Sequence, residues 1–117
     1  MSTLSTHVLD SATGRPADGM TVTLEVATGS DRVGGPVWLL VGFGRTDPDG
    51  RLNEWGPGLT GPGSYRLTFD TASWFAARDR ECFYPEVLIT FTVKADDAHY
   101  HVPLLLAPFA YSTYRGS

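Results

Sequence analysis

The chain has 117 residues, 13 acidic against 9 basic side chains, a formal charge of −4 and one cysteine. A chain this long fits a single domain, residues 1–117, that buries roughly two-thirds of its unfolded surface, and 42% apolar against 19% charged residues excludes a disordered tail. The mild negative balance, with no Lys or Arg cluster, excludes nucleic acid and an anionic membrane surface as expected partners, and a lone Cys82 makes no internal disulfide.

The opening Met1-Ser2-Thr3-Leu4 has neither the basic nor the apolar part of a secretory signal. No window approaches the ~20 apolar residues of a membrane span. With a free thiol, the expectation is a cytoplasmic protein.

Period-two alternation dominates. Leu4 to Leu9 sets Leu4, Thr6 and Val8 on one face and Ser5, His7 and Leu9 on the other. Thr21 to Val26 alternates in the same way and predicts a second strand. The loop from Gly29 to Gly35 follows no pattern. Val37 to Phe43 is apolar almost throughout, so it is either a strand covered on both faces or one of open register. Asp47-Pro48-Asp49-Gly50 carries the residues of a type I turn, out of which Arg51 emerges. Gly56-Pro57-Gly58 and Gly61-Pro62-Gly63 bracket a loop.

Tyr65 to Asp70 is the next strand. Asp70 or Thr71 then caps a helix expected over Ala72 to Arg80, with Trp74, Phe75 and Arg78 on one side. Pro85 precedes a strand over Val87 to Val93. In Tyr100 to Leu106 the core set is Val102, Leu104 and Leu106, and His101, Pro103 and Leu105 face away. Pro103 lacks a ladder donor, which predicts an edge or bulged strand there. Many short strands, frequent Gly/Pro turns and one helix describe an all-β sandwich of two antiparallel sheets.

Two imidazoles, His7 and His101, therefore project from the outer face beside Leu9, Pro103 and Leu105. An apolar outer face of this kind predicts contact with another subunit. A histidine on a strand is more often structural than catalytic. His99 and His101 share a strand face and could pair on a metal, but no third ligand stands at a convincing spacing, so no metal is expected. Turn-flanking arginines such as Arg51 usually sit in water. Cys82, among Phe83, Tyr84 and Pro85, reads as a packed small hydrophobe. The tail from Phe109 to Ser117 is dense in aromatics, unlike a frayed end.

The segments Leu4-Ser5-Thr6-His7-Val8-Leu9-Asp10, Thr46-Asp47-Pro48-Asp49-Gly50-Arg51, Phe83-Tyr84-Pro85-Glu86-Val87, His99-Tyr100-His101-Val102-Pro103-Leu104-Leu105-Leu106 and the closing Tyr114-Arg115-Gly116-Ser117 resemble those of the transthyretin-related 5-hydroxyisourate hydrolases. The resemblance spans nearly the whole chain, and the closing tetrapeptide is its most specific element. It implies a seven- or eight-stranded transthyretin-like sandwich. It further implies a homotetramer, a dimer of dimers, with sites in a channel where dimers meet. The implied reaction is hydrolytic opening of the small molecule 5-hydroxyisourate to 2-oxo-4-hydroxy-4-carboxy-5-ureidoimidazoline in urate catabolism, without a cofactor.

By the same resemblance His7, Arg51, His101 and Tyr114 to Ser117 line the channel. Opening a cyclic amide with water needs a base near neutral pH, and imidazole, with a pKa of about 6.5, is the closest side chain. His101 is the expected base, with His7 orienting the ring or donating to the departing nitrogen; the two can exchange roles. Arg51 presents a forked donor to a polarised oxygen, which lysine does not reproduce. Ser117 brings a hydroxyl and a carboxylate, and Tyr114 joins the substrate contacts. Two other readings compete: a non-catalytic carrier of the transthyretin type, with an apolar channel, and a monomeric adhesion-type module with incidental histidines.

Overall fold

Alternating residues form strands wherever the sequence expects them, and the turns set their limits. The computed structural model describes residues 2–30, 34–96 and 98–117, so residues 31–33 of the Gly29–Gly35 loop lie outside it. Along the chain come β1 (Thr3–Asp10), β2 (Arg15–Pro16), β3 (Thr21–Ser30), β4 (Pro36–Arg45), β5 (Arg51–Leu52), β6 (Gly63–Phe69), α1 (Thr71–Ala76), β7 (Val87–Val93), β8 (His99–Ala107) and β9 (Ala110–Thr113). One sheet runs β2-β1-β8-β9, with β5 also beside β1, and the other runs β4-β3-β6-β7.

The core lies between the sheets. Leu4 and Val8 of β1 and Val102, Leu104 and Leu106 of β8 meet Val22 and Leu24 of β3 and Leu67 and Phe69 of β6, all buried. Thr6 is on this inner face too, and its hydroxyl donates to the Val102 carbonyl at 2.6 Å. That bond removes the cost of a buried hydroxyl. The Trp55 indole nitrogen donates to the Leu4 carbonyl at 2.9 Å and closes one end.

Three expectations change and one open choice is settled. β1 and β8 run parallel, with Thr3 opposite His99 and Ser5 opposite His101, so the first sheet is mixed and not antiparallel throughout. The chain between them crosses the entire second sheet, and such a long crossover permits parallel pairing. For β4 the open choice closes: among the described residues it pairs only with β3, and it is not covered on both faces, since Val37, Leu39, Leu40 and Phe43 are exposed. The helix ends at Ala76, capped at its start by the Asp70 carboxylate, which accepts from the Ser73 amide. Beyond it Asp79 takes a positive φ of 55°, which stops propagation toward Arg80.

Finally, β8 is an interior strand, between β1 and β9. The His101 carbonyl accepts from Gly116 and the Pro103 carbonyl from the Thr113 hydroxyl. Residues two apart turn their backbone polar groups to the same side, so the donor that Pro103 lacks would face the tail. There the ladder breaks after Leu104–Thr113 and resumes in the same register at the His101–Gly116 bridge.

Candidate active site

The outer face of the first sheet assembles the residues singled out from the sequence. Because β1 and β8 are parallel and in register, Thr3, Ser5 and His7 stand opposite His99, His101 and Pro103. On the other side of β1, β5 sets Arg51 opposite His7. The turn before Arg51 is built as expected: Gly50, at φ +77°, donates to the Asp47 carbonyl at 2.8 Å. The Asp47 carboxylate accepts from the Asp49 and Arg51 amides, both at 2.9 Å. A turn tied twice to one side chain gives the Arg51 backbone a defined exit. Among the described residues its guanidinium has no carboxylate partner.

Hydrogen bonds orient both imidazoles. His7 Nε2 lies 2.8 Å from the Asp49 carbonyl oxygen, which can only accept, so Nε2 carries the hydrogen and Nδ1 faces outward as the ring's remaining polar atom. His101 Nδ1 lies 2.7 Å from the Ser5 hydroxyl, which leaves Nε2 for a reacting group. Burial lowers the His101 pKa from its usual 6.5, and Arg51, His7 and His99 push it the same way; a backbone hydrogen bond with Ser5 opposes them. His101 is therefore a neutral imidazole at neutral pH, able to accept a proton.

The tail completes this face. The Gly116 amide donates to the His101 carbonyl at 2.8 Å. A β-carbon at 116 would meet His101 Cδ2 at 2.5 Å, so only glycine lets the tail pass this close to the ring. Ser117, exposed, follows directly. The Arg115 guanidinium stacks 4.6 Å from the centre of the Tyr100 ring and donates to the His99 carbonyl at 3.3 Å.

The structure thus brings His7, Arg51, His101 and the backbone leading to Ser117 together. Arg51 also borders a hollow of about 450 Å³ with Thr3, Ser5, Asn53 and His99. Tyr114 is placed differently within one chain: its exposed ring borders an apolar cleft of about 320 Å³, beside Ile89, Phe91 and Val102. Ser5 and Thr3 escaped sequence reasoning, although their parity with His7 marks them once the parallel pairing is known. Among the described residues no three His, Cys, Asp or Glu side chains are placed to hold a metal ion.

Residues 4–116 match the model of the HIUase/Transthyretin family. This chain belongs to that family. Among its HIUase/Transthyretin relatives is the 5-hydroxyisourate hydrolase of Salmonella dublin, 41% identical over 115 residues that span 97% of this chain and 80% of the relative. The solved 5-hydroxyisourate hydrolase of Klebsiella pneumoniae superposes with a TM-score of 0.82 at 38% identity, covering all of both chains. Sea bream transthyretin, solved in complex with thyroxine, gives the same TM-score of 0.82 at 27% identity over 97% of this chain and 93% of its own. The transthyretin-like sandwich is common to both; sequence identity is higher to the hydrolases.

Proposed function

We propose that this chain is a 5-hydroxyisourate hydrolase, acting in urate degradation as one domain over residues 1–117. The observation that carries the reading is the meeting of a neutral, half-buried His101 with Arg51, His7 and the Gly116 bridge on one face of the sheet. Its relatives among the hydrolases support the substrate. A carrier with an apolar channel has no use for this concentration of imidazole and guanidinium.

In this reading His101 Nε2 takes a proton from water as the water oxygen attacks the ring carbonyl. The carbonyl π pair moves onto oxygen, where the Arg51 fork holds the developing negative charge. The tetrahedral centre then collapses, the carbon–nitrogen bond breaks, and the nitrogen takes a proton from the imidazolium of His101, while His7 orients the ring. Arg51 and His7 bind the heterocycle, Ser117 holds the water or a ring hydroxyl, and Tyr114 adds its exposed ring to the substrate contacts. The proton that the water gives up to His101 is the one the departing nitrogen receives, so no cofactor is invoked.

The reading includes a homotetramer, a dimer of dimers, with sites where dimers meet. Exposed Phe83, Phe109, Tyr111 and Tyr114 around β9 support an interface there. It also includes a cytoplasmic location, in keeping with the free thiol of Cys82. No helix among the described residues is long and apolar enough to cross a membrane. The test is the ultraviolet decay of freshly generated 5-hydroxyisourate with and without the protein. Accelerated decay is expected, and equal decay overturns the assignment.

A further inference from the structure

Behind His101 a line of hydrogen bonds leads to a backbone carbonyl. His101 Nδ1 is 2.7 Å from Ser5 Oγ, Ser5 Oγ is 3.3 Å from His99 Nε2, and His99 Nδ1 is 2.6 Å from Thr3 Oγ1. Thr3 Oγ1 ends the line by donating to the Ala98 carbonyl at 3.5 Å. Each hydroxyl has one hydrogen, and each neutral imidazole has one N–H and one bare nitrogen. The carbonyl can only accept, so it orders the whole line. Thr3, having given its hydrogen to Ala98, accepts from His99 Nδ1–H. His99 Nε2 is then bare and accepts from the Ser5 hydroxyl. Ser5, its hydrogen committed, accepts from His101 Nδ1–H.

We propose that Ser5 is a positioning residue which, backed by His99 and Thr3, holds His101 in the tautomer with hydrogen on Nδ1 and a lone pair on Nε2. This rests on the reading of His101 as the base. The arrangement suits that role because the imidazolium formed when Nε2 takes a proton keeps the same Nδ1–H bond to Ser5. Nothing behind the ring has to rotate during the step. A free imidazole prefers the opposite tautomer, whose Nε2–H cannot accept a proton from water. Without the Ser5 hydroxyl the ring loses the contact that selects the right form.

The experiment combines nitrogen-15 NMR of histidine-labelled resting protein with turnover of 5-hydroxyisourate, for the wild type, Ser5→Ala and Ser5→Thr. The wild-type spectrum should show His101 protonated on Nδ1 and bare on Nε2. In Ser5→Ala the Nε2–H form should become dominant, and kcat should fall about ten- to a hundredfold with KM little changed. Ser5→Thr, which restores a hydroxyl, should recover both. A wild-type His101 protonated on Nε2 overturns the proposal, and so does a Ser5→Ala protein with unchanged tautomer and kcat. If the wild type fails to consume 5-hydroxyisourate, the functional reading falls, while the spectrum still decides the tautomer. If Ser5→Ala fails to fold, the wild-type and Ser5→Thr spectra decide it alone.

Discussion

Asp10, on the inner face of β1, and Ser5 and His7, on its outer face, are polar residues of one strand with opposite fates. Asp10 is 2% exposed, and every feature around it closes the charge: its carboxylate pairs with Arg80 and accepts from the Ala12 and Thr13 amides. Arg80 in turn packs over the Phe75 ring. Burial alone would raise the Asp10 pKa, but the Arg80 and Thr13 hydrogen bonds outweigh it and the value falls below the usual 3.8. The outer face does the reverse. There burial first, and then the neighbouring Arg51, His7 and His99, disfavour the charged form of His101 and hold that ring neutral. A buried charge that is matched stays in the interior and is costly to unpair, whereas a half-buried imidazole without a matching carboxylate stays neutral and available for chemistry.

The comparison breaks if either end behaves like the other. The largest effect is expected from His101→Asn, which should lower kcat about a hundredfold or more with an unchanged melting temperature. Near-normal turnover in that variant would move the base to His7. Arg80→Met should do the opposite. It should lose about 2–3 kcal/mol in a denaturant titration, because Asp10 stays buried without its partner, and keep its turnover. The sign with pH follows from the lowered Asp10 pKa: the stabilisation is complete above 3.8 and disappears as pH falls through the lower folded value. In Arg80→Met acid unfolding should therefore begin at higher pH than in the wild type, as read by circular dichroism.

Gly116→Ala should lower kcat about tenfold, since the added carbon displaces the His101 ring from which it would stand 2.5 Å. Full activity in this variant would separate the tail from the mechanism. The smallest expected change is in titration. The His101 midpoint, followed by proton NMR, should lie below 6.5 in the wild type and rise toward it in Arg51→Gln, because a positive charge that disfavours the imidazolium is gone. An unmoved midpoint would mean that burial, with His7 and His99, holds the ring neutral without Arg51.

Much of this was legible along the chain. The alternation of Leu4, Thr6 and Val8 with Ser5 and His7 placed the imidazole outward, and Asp47-Pro48-Asp49-Gly50 placed the turn before Arg51, because both are local consequences of strand period and turn sterics. The parallel pairing of β1 with β8 was not legible, since pleat and periodicity are the same in parallel and antiparallel strands. Ser5 opposite His101 was hidden with it. The interior position of Pro103 was misread for a related reason: a missing donor matters only on the side where a neighbour pairs, and that side is known only from the assembled sheet. The helix limit was missed because Asp79 adopts a conformation that its identity permits but does not require.

By itself the chain determined a β-sandwich, the inner and outer residues of its strands, the turn that delivers Arg51 and the family resemblance of its motifs, all set by spacing along a few residues. Only the tertiary structure decided which strands are neighbours, in which direction and in what register. Those relations gave Ser5 to His101, Asp49 to His7 and Gly116 to the ring it skirts. They join residues far apart in the chain, and no local preference of backbone or side chain encodes them.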